Sequence, residues 1–124
     1  MSGRILVVDD DRGTCHFISK VLSSRGWEVD AAANGEEAIT LASQHLYNLA
    51  LLDYLMPGLN GVELFRRISE LQPDIVGAFI TAHARIDTVY PAVAAGIERV
   101  LAKPVSAEEL VALVDELVGQ SEAG

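Results

Sequence analysis

Short apolar runs recur along this chain, and each is followed by a stretch whose apolar residues return at helical spacing. The runs are RILVV (4–8), WEVDAA (27–32), NLALLD (48–53), DIVGAFIT (74–81) and ERVLAK (98–103). Most are apolar throughout rather than alternating, the pattern of strands covered on both faces. In the first intervening segment, from Arg12 to Arg25, Phe17, Ile18, Val21 and Leu22 share a helical face and Gly26 supplies a stop. Asn34 with Glu37, Asn60 with Glu63, and Ser106 with Glu109 have the spacing of helix caps, the last helix running through about Val118. The segment DTVYPAVAAG (87–96) predicts a shorter, weaker helix. Proline costs about 3 kcal/mol in a helix interior, so Pro91 predicts a late start or an irregular turn there. Strands alternating with helices through short connections predict an α/β fold, a doubly wound five-stranded parallel sheet.

A chain of 124 residues can bury a core without disulfide staples. Residues 1–119 read as one domain, and 120–124 as a flexible tail or the start of a linker. A net charge of −9 speaks against direct nucleic-acid binding, which needs a basic face. Cys15 is the sole cysteine, which excludes an internal disulfide or a cysteine-based zinc site, and its place in a helical pattern predicts a packing role. The opening MSGRILVVDDD has too short an apolar run for a secretory signal, and no run approaches a membrane span. The expectation is a cytoplasmic domain without membrane association.

In a doubly wound sheet the functional crevice lies outside the carboxyl ends of the strands. There the chain places Asp9, Asp10 and Asp11 after the first strand and Asp53 after the third. Thr81 closes the fourth, and Lys103, followed by Pro104, closes the fifth. Two carboxylates about 4 Å apart repel by roughly 4 kcal/mol at an effective dielectric near 20. A divalent cation offsets that, and oxygen-only ligands favour Mg²⁺, with Mn²⁺ or Ca²⁺ as alternatives. A hard metal, an ammonium and a fixed carboxylate suit a phosphoryl group, with Asp53 as the attacking nucleophile.

ILVVDDD, LLDYLMPGLNG, FITAHA and VLAKP, in this order and spacing, resemble the receiver domain of two-component response regulators over about residues 4–118. The resemblance implies a flavodoxin-like (βα)5 fold with strand order 2-1-3-4-5. It implies Asp53 as phosphoacceptor, with Asp10 as the more direct metal ligand and Asp9 acting partly through water. The backbone carbonyl of Leu55 would be a further ligand. Thr81 would bond the new phosphoryl group, Lys103 would pair with its oxygens, and Pro104 would follow a cis peptide bond. The donor would be a phosphohistidine on a sensor histidine kinase or histidine phosphotransfer protein. An output domain or protein would lie downstream, and a homodimer is compatible with the family. The domain would catalyse only its own Mg²⁺-dependent phosphorylation and dephosphorylation.

Neighbouring residues carry plainer readings. Asp11 reads as the cap of the first helix. His16 and His45 read as surface or boundary residues, Trp27 as packing, and His83 as either facing the site or an exposed loop residue. Two departures from the family bear on signalling. Val100 stands three before Lys103, where many receivers carry a switching aromatic, and Pro91 interrupts a helix of the usual output face; Tyr90 is a candidate for a related role. Leu55, two residues past the acceptor, predicts shielding of an acyl phosphate from water. Three alternatives follow. A pseudo-receiver would bind partners without phosphorylation. An aspartate-nucleophile phosphatase would carry a second acid where Leu55 stands. A dinucleotide binder would need a glycine-rich turn where the acids stand.

Overall fold

The computed structural model describes residues 3–82 and 91–119. The apolar runs form β1 (Arg4–Val8), β2 (Glu28–Ala32), β3 (Leu49–Leu52), β6 (Val76–Thr81) and β7 (Arg99–Ala102). They pair in parallel as one five-stranded sheet, in the order β2-β1-β3-β6-β7. Counting sheet strands alone, that is the expected 2-1-3-4-5. The labels β4 (Leu55–Met56) and β5 (Leu59–Asn60) belong to a small antiparallel hairpin that turns at Pro57 and Gly58.

Helices α1 (Arg12–Ser23), α2 (Gly35–Gln44), α3 (Gly61–Leu71) and α4 (Ala107–Val118) cover the sheet. The period of two along each strand divides its side chains between two cores. Leu6, Val8, Ala50, Leu52 and Phe79 point to the layer containing Ala38, Leu64, Phe65 and Ile68. Ile5, Val7, Leu49, Leu51 and Ile80 point to the layer containing Ile18, Leu22, Leu110 and Leu113, and Trp27 is buried there. Residues 91–94 are helical, with the Pro91 carbonyl accepting from Ala95 N–H. The expected onset at 87–90, Tyr90 included, lies outside the described residues, as do His83 and the tail 120–124.

The cap residues behave as their spacing predicts. Asn34, Asn60 and Ser106 accept from the N–H three residues on, and Asp11 accepts from Gly13 N–H. A reciprocal capping box forms at Ser106 and Glu109. At α2 the Glu37 carboxylate instead accepts from Ala33 N–H, one residue before the cap.

Asp30 anchors the β2 edge to its neighbours. Its carboxylate accepts from Arg4 Nη1 at 2.7 Å and Tyr47 Oη at 2.8 Å, while Arg4 also pairs with Glu28 at 2.8 Å. Burial pushes the Asp30 carboxyl up, but the Arg4 and Tyr47 bonds outweigh it and hold the group below its usual value. A depressed native value means this stabilisation is present above the unfolded carboxyl's pKa of about 3.9 and is lost as pH falls through the native value. Asp30→Asn is therefore expected to cost about 1–2 kcal/mol near pH 7. Urea unfolding should show the gap from wild type closing below pH 4; a gap unchanged at pH 3 would contradict the assignment.

Candidate phosphoryl site

Sheet register brings the rim together. Val8 pairs with Leu52, so the next residue of each strand, Asp9 and Asp53, emerges from neighbouring strands. Thr81 pairs with Ala102, so Lys103 leaves the sheet beside Thr81. The parallel ladder continues one residue past each strand end. Asp9 N–H donates to Ala32 O at 3.1 Å, Asp53 N–H to Val8 O at 2.9 Å, and Lys103 N–H to Thr81 O at 2.9 Å. Each functional residue is thus held by its backbone before any side chain engages.

Carboxylate oxygens of Asp9, Asp10 and Asp53 lie within 4.8 Å of one another. Asp9 and Asp53 are buried, at 3% and 8% exposure, and Asp10 is exposed. Lys103 Nζ lies 2.7 Å from Asp9 Oδ2 and 3.2 Å from Asp53 Oδ2. The other Asp9 oxygen accepts from Asp11 N–H at 2.9 Å. Asp53 Oδ1 differs: it is the one buried side-chain oxygen or nitrogen among the described residues without a hydrogen-bond partner. A buried, unsatisfied carboxylate oxygen is costly, and it is the group that a cation or a phosphoryl transfer would use.

Charge in the site follows from burial against pairing. Burial pushes the Asp9 carboxyl up, and the Lys103 bond opposes this only in part. Burial works to discharge Lys103, but its bond to Asp9 and the field of Asp53 outweigh that and raise its pKa, so the ammonium stays charged. The arrangement is a buried carboxylate, Asp53, with one oxygen held by a cation and one without a hydrogen-bond partner, beside two further carboxylates that could join it in holding a hard metal.

Comparison with known proteins agrees with this geometry. The pattern of the response regulator receiver domain matches residues 5–115. The chain belongs to the response regulator receiver domain family.

The response regulator MprA of Mycobacterium sp. (strain KMS) is 34% identical over 95% of this chain and 51% of its own. The chain thus spans about half the length of that regulator, and 26% of the Escherichia coli K12 transcriptional regulatory protein GlrR, which is 31% identical. A CheY-like receiver domain protein from Methanospirillum hungatei superposes with a TM-score of 0.89 at 29% identity, covering 94% of this chain and 93% of the other. A Burkholderia pseudomallei response regulator, solved with a phosphorylated aspartic acid, a calcium ion and citrate, superposes with a TM-score of 0.84 at 30% identity. That match covers 93% of this chain and 66% of the other.

Within this receiver domain, each expected rim residue that the structure describes stands at a strand end. Leu55 lies in β4 with its side chain 47% exposed, and the Lys103–Pro104 bond is cis. Thr81 is fully buried. Val100 is half-buried, pairs in register with Phe79 and packs into the core that holds it. Tyr54 carries the aromatic ring beside Phe79, with centroids 5.7 Å apart. His16 and His45 are exposed.

One contact was not legible in the sequence. Cys15 is half-buried as expected, and its thiol also donates to the Asp9 carbonyl at 3.3 Å, tying α1 to the acidic turn. Only the α1 pattern placing Cys15 on the inward face hinted at it. No helix of the described residues is long and apolar enough to cross a membrane.

Proposed function

We propose that this receiver domain takes a phosphoryl group onto Asp53 from a phosphohistidine on a sensor histidine kinase or phosphotransfer protein. The observation that carries the reading is Asp53 itself, with Oδ2 held by Lys103 and Oδ1 buried and unpartnered beside Asp9 and Asp10. An Asp53 oxygen forms the new bond to phosphorus as the bond to the donor nitrogen breaks, and the freed imidazole takes up a proton. Lys103 neutralises charge on the phosphoryl oxygens, and Thr81 donates its hydroxyl to one of them. Asp9, Asp10, Asp53 and the Leu55 carbonyl are the groups that would hold Mg²⁺, or Mn²⁺ in its place. When bound, that ion supplies further neutralisation of the developing charge.

Asp9 and Asp10 form an acidic turn that would repel a pyrophosphate, and Leu55 stands where a phosphatase of this type has its second acid. The protein is therefore read as a phosphorylated switch acting in the cytoplasm on an output domain or partner, and not as an enzyme with external turnover. Phosphorylation biases a two-state equilibrium of the surface around β7 and α4.

The test is intact mass after incubation with Mg²⁺ and a small acyl phosphate. One phosphoryl increment is expected, absent in Asp53→Asn and in a chelated sample. No increment from either that donor or a phosphorylated histidine protein would favour the pseudo-receiver. Leu55→Asn is expected to shorten the phosphoryl half-life by about threefold or more by admitting water to the acyl phosphate. An unchanged half-life would remove the shielding role.

A further inference from the structure

Gly61 opens α3, and its backbone is not in the left-handed region, unlike Gly26, Gly58, Gly96 and Gly119. Conformation therefore does not call for glycine here; space does. A Cβ at this position would lie 2.6 Å from the Asp53 carbonyl oxygen, 3.1 Å from Tyr54 Cα and 3.0 Å from Phe79 Cε1. Two of those atoms are backbone, and the third belongs to a fully buried ring, so none can yield cheaply. Gly61 N–H also donates to the Tyr54 carbonyl at 2.6 Å.

We infer that Gly61 is a positioning residue for the phosphoacceptor: its bare Cα lets the first turn of α3 seat against the Asp53 peptide from behind. The inference rests on the reading of Asp53 given above. Asp53 is clamped from two directions. Its N–H is tied to Val8 across the sheet, and its carbonyl abuts Gly61, which closes the loop holding the β4–β5 hairpin. The position of the carboxylate beside Lys103 is thereby set by a contact eight residues downstream. A methyl group at 61 must push either α3 or the Asp53 peptide by several tenths of an ångström.

Gly77 provides the control. A Cβ there also meets close packing, against the Phe65 ring, but with no atom of the rim among its nearest neighbours. Gly61→Ala and Gly77→Ala should both lower thermal stability. At a temperature where both are folded, only Gly61→Ala should move the Asp53 carboxyl and Lys103 NMR resonances, leaving those of Asp30 and Tyr47 in place. It should also slow phosphorylation by a small acyl phosphate by about tenfold or more, as misplacement of a reacting group does. A folded Gly61→Ala with wild-type Asp53 and Lys103 resonances overturns the inference, as does a wild-type phosphorylation rate. Should Gly61→Ala not fold, Gly61→Ala with Phe79→Leu is compared with Phe79→Leu alone, since this frees one of the three contacts. A wild-type protein that accepts no phosphoryl group would refute the receiver chemistry instead. The NMR comparison would still decide whether Gly61 positions Asp53.

Discussion

Lys103→Met should slow phosphorylation of Asp53 by about 100-fold while tightening divalent cation binding by about tenfold. The two effects have opposite sign because Lys103 serves two acids. It lies 2.7 Å from Asp9 and 3.2 Å from Asp53, and among the described residues it is the cation paired with either. In the proposed transfer its charge would stabilise the phosphoryl oxygens, and methionine keeps an unbranched stem while removing that charge. Before transfer the same ammonium would compete for Asp9 with any cation that the acidic cluster holds. At an effective dielectric near 20, unit charges at 4 Å interact by about 4 kcal/mol, and a third of that is a tenfold change in affinity. Phosphorylation kinetics with an acyl phosphate and a Mn²⁺ titration would measure both. Equal rates would remove Lys103 from the chemistry, and weaker metal binding would show that its main effect is to hold the acids in place.

Gly77→Val should lower stability by about 3 kcal/mol, which for a domain of this size is a fall of roughly 10 °C in Tm. Gly77 is buried in β6, paired with Ala50 of β3. A Cβ there would lie 2.7 Å from both Cδ1 and Cζ of Phe65, and closer still to Cε1. Phe65 belongs to α3 and is 3% exposed, so its ring has no solvent to move into. Valine's preference for strands is overridden, because the sheet face needs a hollow at this point for an aromatic ring. Thermal unfolding followed by circular dichroism checks it, and a Tm within 2 °C of wild type would mean that α3 can slide.

The strand–helix alternation was legible because it is local. Runs such as ILVV and LALL cannot be exposed, and periods of 2 and 3.6 residues need no knowledge of the rest of the chain. The caps at Asp11, Asn34, Asn60 and Ser106 were legible for the same reason, since a capping side chain reaches only two or three residues along its own backbone. The hairpin at Leu55–Asn60 was not, because a pair of two-residue strands carries no period to read. Glu37 bonding to Ala33 rather than to Asn34 depended on the local path of the chain before the helix.

The rim residues stood out in sequence because charged and polar groups ended apolar runs, which is a one-dimensional signal. What that signal determined was a set: Asp9, Asp10, Asp53, Thr81 and Lys103 at the carboxyl ends of parallel strands. Only the tertiary structure decided how the set is wired. The Val8–Leu52 register sets Asp9 beside Asp53, Lys103 sits nearer Asp9 than Asp53, and one Asp53 oxygen is left buried without a partner. It also decided that Gly61 and Gly77 are hollows, each shaped by a ring from another element. The reason is physical. Burial and periodicity act between near neighbours along the chain, whereas ion-pair distances and the space around a Cα are set by packing between segments that are far apart in sequence, as Lys103 is from Asp9 and Asp53.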